Sequence, residues 1–265
     1  MSNCDHNMAP AVGMLSVNLH GESLELTSVG EDKLVGRWSY GSYLANGVDR
    51  LLLLTATLGI RATFFVPGFE AVRSPSLIRE IAAEGHEIAA HGWQHEKQSE
   101  LGDAEGDVLR RGRDALGEVT GTAPVGWRSP DGTFGPRTLA RLAELGYGYD
   151  SSFQDDDFPY LLDADGGTGM VELPQNNVLI DKPMFNIKMP DARVLKNWVE
   201  EFDGLNRIGA FSCLTVHPRQ DYGVGRAPRM VMLERFLRHA MQSPLPVTFL
   251  TGAEVANMAC GRASA

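Results

Sequence analysis

Apolar runs of strand length alternate with amphipathic stretches of helix length along the chain, and this alternation restricts the fold more than any other feature. Residues 14–18 (MLSVN), 62–66 (ATFFV), 86–91 (HEIAAH), 125–128, 147–150, 170–173, 211–216 (FSCLTV) and 247–250 read as strands. Between them, 48–58, 76–83, 104–119, 136–145, 191–205, 230–241 and 252–258 read as helices, several closed by a glycine such as Gly59, Gly85 or Gly146. Such alternation builds a mostly parallel sheet covered by helices. About eight strand–helix units fit a (β/α) barrel better than an open sheet, and in such barrels chemistry sits in the loops after the strands.

A chain of 265 residues is within what one core can organise, so a single α/β domain is expected over 14–265, after an N-terminal extension, 1–13. A net charge of −10 with no basic run argues against nucleic-acid binding, which depends on phosphate neutralisation. Cys4, Cys213 and Cys260 are too few, and too scattered, for a disulfide framework or a C-x-x-C zinc site. No apolar stretch approaches the length of a membrane span, and the N-terminus has no basic region followed by an apolar one. A cytoplasmic protein without membrane contact is the expectation.

The unusual residues fall at strand ends. Asn18 and His20 follow the first strand, His91 ends the third, and Arg128 the fourth. Asp150 ends the fifth and His217 follows the seventh. His86, at the start of its strand, belongs to the opposite, structural end. If a helix begins after His91, then His91 and His95 share a face at i, i+4 and can converge on one ion. Taken singly, each signal has a plainer reading. H-x-x-x-H occurs by chance, Arg128 with Ser129-Pro130-Asp131-Gly132 is also good turn chemistry, and His217 before Pro218 also reads as a satisfied histidine under a loop. Scattered core histidines would not collect on one rim.

The segments VNLHGES, ATFFVPG, GHEIAAHGWQHE, GWRSPDG, YDSSFQDDDFPY, VELPQNNVLIDKPMF and LTVHPRQ, taken in order, resemble the polysaccharide deacetylase (NodB-homology, carbohydrate esterase family 4) superfamily. The last three are most similar to its branch of intracellular peptidoglycan deacetylase-like proteins, cyclic imide hydrolases and allantoinases. The resemblance implies a distorted (β/α) barrel and hydrolysis of a C–N amide bond. It also implies a metal held at His91 and His95, an arginine (Arg128) orienting a catalytic base, and a late histidine (His217) acting as general acid.

The first motif departs from the family pattern. V-N-L-H stands where V-D-x-D is expected, so Asn18 occupies the base position and His20 the ligand position. A neutral amide cannot act as a base at neutral pH. A His20, His91, His95 set could still hold zinc or another divalent transition metal. Glu22, two residues beyond His20, is the nearest carboxylate in sequence to serve as a substitute base. Three readings follow: a metal-assisted hydrolase of a small amide or imide, with a carbohydrate or peptidoglycan deacetylase as its variant; a metal-independent hydrolase of the allantoinase kind; and an inactive barrel that binds a ligand or partner. Asp150 and Asp131, and the loop 151–168 with Phe153, Phe158 and Tyr160, are expected to line or cover a small-molecule pocket, which a homo-oligomer would help to close. The same loop also reads as an ordinary connection anchored by its aromatics.

Overall fold

The last six residues of β1 (Val12–Asn18) are all buried, as expected for a parallel strand covered on both faces. It starts two residues before the stretch read from sequence. The structure, a computed structural model, describes residues 11–30, 40–41, 43–162 and 169–263. Most of the expected N-terminal extension, including Cys4, lies outside the described residues.

In chain order, β1 is followed by α1 (Glu22–Val29), α2 (Leu44–Leu58), β2 (Thr63–Val66), α3 (Gly68–Arg73), α4 (Pro75–Ala83) and β3 (Glu87–Ala90). Next come α5 (Glu105–Thr120), β4 (Gly126–Trp127), α6 (Thr138–Glu144), β5 (Tyr149–Asp150), β6 (Tyr160–Leu161) and β7 (Val171–Glu172). The chain ends with α7 (Asp181–Asn186), α8 (Asp191–Arg207), β8 (Ser212–Val216), α9 (Ala227–Gln242), β9 (Thr248–Phe249) and α10 (Gly252–Ala263).

The strand order is β6-β7-β5-β4-β3-β2-β1-β8, with β9 beside the start of β1. Pairing is parallel except between β6 and β7. The sheet curls strongly into a half-barrel, the distorted (β/α) barrel that the alternation implies, in a single α/β domain.

Among the described residues, strand pairing does not close the barrel between β7 and β8. The segment after β7 crosses that gap instead: Asn176 Oδ1 accepts the Cys213 N–H at 2.8 Å, Thr215 Oγ1 donates to Gln175 Oε1 at 3.4 Å, and Ile180 bridges to Thr215. The loop 151–168 is not wholly irregular either, because Tyr160 and Leu161 form β6 against β7. Residues 163–168 of that loop lie outside the described residues.

Helices cover the sheet for the reason their periodicity suggests. The α8 helix follows Pro190, has Asp191 in its first turn and Arg207 in its last, and buries Val194, Trp198, Phe202 and Leu205 along one stripe. Full burial of a large apolar side chain contributes about 1.5–3 kcal/mol relative to exposure. Among the described residues, no helix is long and apolar enough to cross a membrane.

Candidate metal centre and proton-transfer dyad

The chain does not enter a helix after His91. It makes a tight turn in which Gly92 has φ +67° and His95 φ +62°, so His95 folds back toward His91 through the left-handed region instead of sharing a helical face with it. Glu96 holds the turn by accepting the Trp93 and Gln94 N–H groups at 3.0 and 2.8 Å, and the Gly92 and Trp93 carbonyls accept the N–H groups of Gly68 and Phe69. A side chain at Gly92 would strike Pro130. Strain of this kind persists only where the surroundings hold it.

Folded back in this way, His95 joins His20 and His91. One ring nitrogen of each lies within 4.8 Å of the others, and all three residues are buried. His91 Nδ1 lies 3.0 Å from the Arg128 carbonyl oxygen, which can only accept, so the Nδ1 proton is donated there and Nε2 is bare. That bare nitrogen is 3.3 Å from His20 Nε2. His20 Nδ1 meets the Tyr222 hydroxyl at 2.9 Å, and a ring that donates there would present a bare Nε2 to a cation. His95 Nε2 is buried without a hydrogen-bond partner among the described residues.

The environment keeps these rings neutral. Burial, reinforced by the neighbouring imidazoles, pushes His20 and His91 well below the ordinary histidine range. Burial and the Lys182 charge push His95 down to about 3. Neutral imidazoles with converging lone pairs, one of them orphaned, fit a divalent cation held by His20, His91 and His95. Arg219 fixes the first of these by donating to the His20 and Gly21 carbonyls while paired with Glu25 and Asp221. Replacing the partner that orients a metal-binding histidine costs about 10–100-fold in affinity. Tyr222→Phe is therefore expected to weaken zinc binding by that factor in competition with a chelator; unchanged affinity would mean that Tyr222 does not orient His20.

Beside the triad stands a second unit. His217 Nδ1 lies 2.6 Å from Asp181 Oδ1, while Asp181 Oδ2 accepts the backbone N–H groups of His217 and Val224. The aspartate thus accepts a hydrogen bond from Nδ1–H and leaves His217 Nε2 as an acceptor, 3.4 Å from Asn18 Nδ2. Asn18 is oriented by Arg128, whose guanidinium donates to Asn18 Oδ1 at 2.9 Å and also to Ser16 and to the Ser151 carbonyl and hydroxyl. Burial lowers the His217 pKa, and the Asp181 carboxylate opposes that shift without cancelling it. The loop is packed so closely that a Cβ at Gly223 would strike the His217 carbonyl oxygen.

The other residues singled out in the sequence have partners of their own. Glu22 opens α1 and accepts from Arg73 Nε at 2.9 Å, because the turn at Gly21 directs it toward the helix terminus; the structure does not bring it to the triad as a substitute base. Asp131 closes its own turn on Thr133 and Ser129. Phe153 stacks on Phe134 at 4.7 Å, and the Tyr160 hydroxyl donates to Asp155. Asp150 is buried beside Glu172, its cross-strand partner, and accepts from Ser152. Burial raises the pKa of both acids. His86 sits at the structural end, accepting the Ala62 N–H at 3.0 Å and meeting Thr55.

Asp181, Lys182, Arg219 and Tyr222 were not singled out from the sequence. The first three stand within IDKPMF and LTVHPRQ, where a charged residue next to a buried apolar run could have drawn notice.

A curled (β/α) barrel whose strand-end rim gathers an imidazole triad, an Asp–His dyad and a buried arginine defines a class of hydrolytic barrel. Comparison with known proteins makes the class specific. The family model "Polysaccharide deacetylase" matches residues 37–149. A crystal structure from Mycobacterium smegmatis assigned to the polysaccharide deacetylases aligns with a TM-score of 0.87 at 32% identity, covering 97% of this chain and 93% of that one. The peptidoglycan deacetylase of Helicobacter pylori is 29% identical over 230 residues, 73% of this chain and 77% of that protein. PuuE allantoinase shares the fold, with a TM-score of 0.83 at 24% identity over 95% of this chain and 91% of that one. The chain belongs to the polysaccharide deacetylase superfamily.

Proposed function

We propose that the chain hydrolyses a C–N bond of amide or imide type in a small cytoplasmic substrate, with a divalent metal, zinc by preference, at His20, His91 and His95. The observation that carries this reading is the convergence of three buried imidazoles beside an Asp-oriented histidine. An ion held there would supply Lewis-acid polarisation of the scissile carbonyl and a lowered pKa for water. The enclosed rim supports a small substrate, since all four imidazoles are buried.

The protein's own part is proton transfer. Asn18 cannot take a proton, so the bare His217 Nε2 is the acceptor nearest the position of the missing base. His217 takes a proton from the attacking water, Asp181 stabilises the resulting imidazolium, and the same Nε2–H is returned to the departing nitrogen. Arg128 holds Asn18 in place, so that its Nδ2 faces His217.

A second reading, an N-deacetylase of carbohydrate or peptidoglycan, is favoured by the activity named for the Helicobacter relative. Metal analysis combined with a substrate panel tests the first reading and separates the two. We expect about one zinc per chain after gentle purification, lost in His20→Ala, and faster hydrolysis of cyclic imides and ureides than of N-acetylglucosamine oligomers. Full metal retention in His20→Ala would remove His20 from the site. The reverse order of rates would favour the second reading.

A further inference from the structure

Among the described residues, three cations stand close to the imidazoles, and they differ in what their donors do. The Arg128 guanidinium is spent on Ser16, Asn18 and Ser151, and lies over the Phe65 ring. That of Arg219 is spent on two carbonyls, Glu25 and Asp221. Lys182 makes neither a hydrogen bond nor an ion pair with any described residue. Its ammonium lies 5.2 Å from the centre of the Tyr222 ring, and the hydroxyl of that ring contacts His20.

Lys182 also follows Asp181 directly in the segment that orients His217, and its place beside the rim is given by the Tyr222 ring. Its charge depresses His20, His95 and His217 together, which puts it in electrostatic reach of both the triad and the dyad. The carboxylates around it are committed: Asp181 to His217 and Val224, Asp221 to Arg219. A partly buried ammonium with open donors, next to a reaction centre, lacks only an anion.

We propose that Lys182 is a specificity residue, receiving a carboxylate or similarly compact anionic group of the ligand. The inference deepens the proposed function, because it assigns the amide or imide substrate to a charged class. Charge-assisted hydrogen bonds to such a group give affinity and orientation, and a lysine delivers them as a point charge on a flexible stem.

The smallest isosteric pair that differs in charge, acetate and acetamide, fits any site that accepts a carboxylate. Binding is read in the metal-free full chain, at constant ionic strength, from the shifts of the buried histidine ring resonances. The expected result is that acetate binds wild type about tenfold more tightly than acetamide. Lys182→Gln abolishes that preference, and Lys182→Arg retains most of it. Equal binding of the two probes to wild type, or a preference that survives in Lys182→Gln, overturns the inference. Both outcomes are independent of metal and turnover. A chain that prefers acetate through Lys182 yet hydrolyses no amide would sustain the anion site and sink the hydrolase reading; the reverse result would do the opposite.

Discussion

Asp181→Asn lowers kcat by about 10²–10⁴-fold, the range spanned by removal of a positioned proton carrier and by loss of its orienting carboxylate. The aspartate accepts the Nδ1 proton and two backbone N–H groups at once. An asparagine side chain has a single acceptor oxygen, so it cannot reproduce all three bonds. It can also donate to Nδ1, which would move the ring proton to Nε2 and remove the acceptor that the reaction needs. The pH profile supplies the second readout. The Asp181 carboxylate holds the His217 pKa up against burial, so its loss shifts the acid limb of activity to lower pH while the plateau falls. A variant that folds with wild-type melting behaviour and an unchanged kcat would show that His217 does not carry the proton.

Stability of the metal-free protein falls steeply with acidification. His20, His91, His95 and His217 all have pKa values below their unfolded value in the folded state, His95 at about 3. As pH falls through about 6.5, the ordinary histidine value, the unfolded chain takes up protons that the folded one refuses. The stability contributed by neutral burial is therefore complete above that pH and is lost between it and the folded pKa values. Each imidazole that stays neutral in the folded state steepens the dependence by about 1.4 kcal/mol per pH unit. Acting together, the rings of the triad would consume most of a typical stability of about 5–15 kcal/mol within a few pH units. Urea midpoints measured from pH 7 to pH 4.5 on chelator-treated protein check this. A flat profile would mean that the imidazoles protonate without opening the rim.

The parts of the fold legible in the sequence are those set by local periodicity. The stripe of Val194, Trp198 and Phe202 and the apolar run of β8 declare a helix and a buried strand without outside help. By contrast, β6 exists because Tyr160 and Leu161 find β7, a pairing invisible to any short window. For the site, position was legible and conformation was not. Strand ends carry the chemistry in barrels, so His20, His91, Arg128 and His217 could be placed on one rim. The left-handed turn at His95 depends on Glu96 and on the segment after β2, so a helical i, i+4 pairing was the wrong expectation. Asp181 lies 36 residues from His217, and nothing local pairs them. Glu22 shows the converse: closeness in sequence to His20 says nothing about the direction in which the side chain leaves the turn.

The gap between β7 and β8 is bridged by Gln175 and Asn176, two side chains that carry no charge at any working pH. The barrel is thus fastened by a neutral latch at one flank, while the candidate site on its rim is a set of imidazoles that burial keeps neutral. Salt and acid act on the two unequally. Moderate ionic strength leaves the latch indifferent, and acid undermines the fold through the buried imidazoles of the rim rather than through the seam.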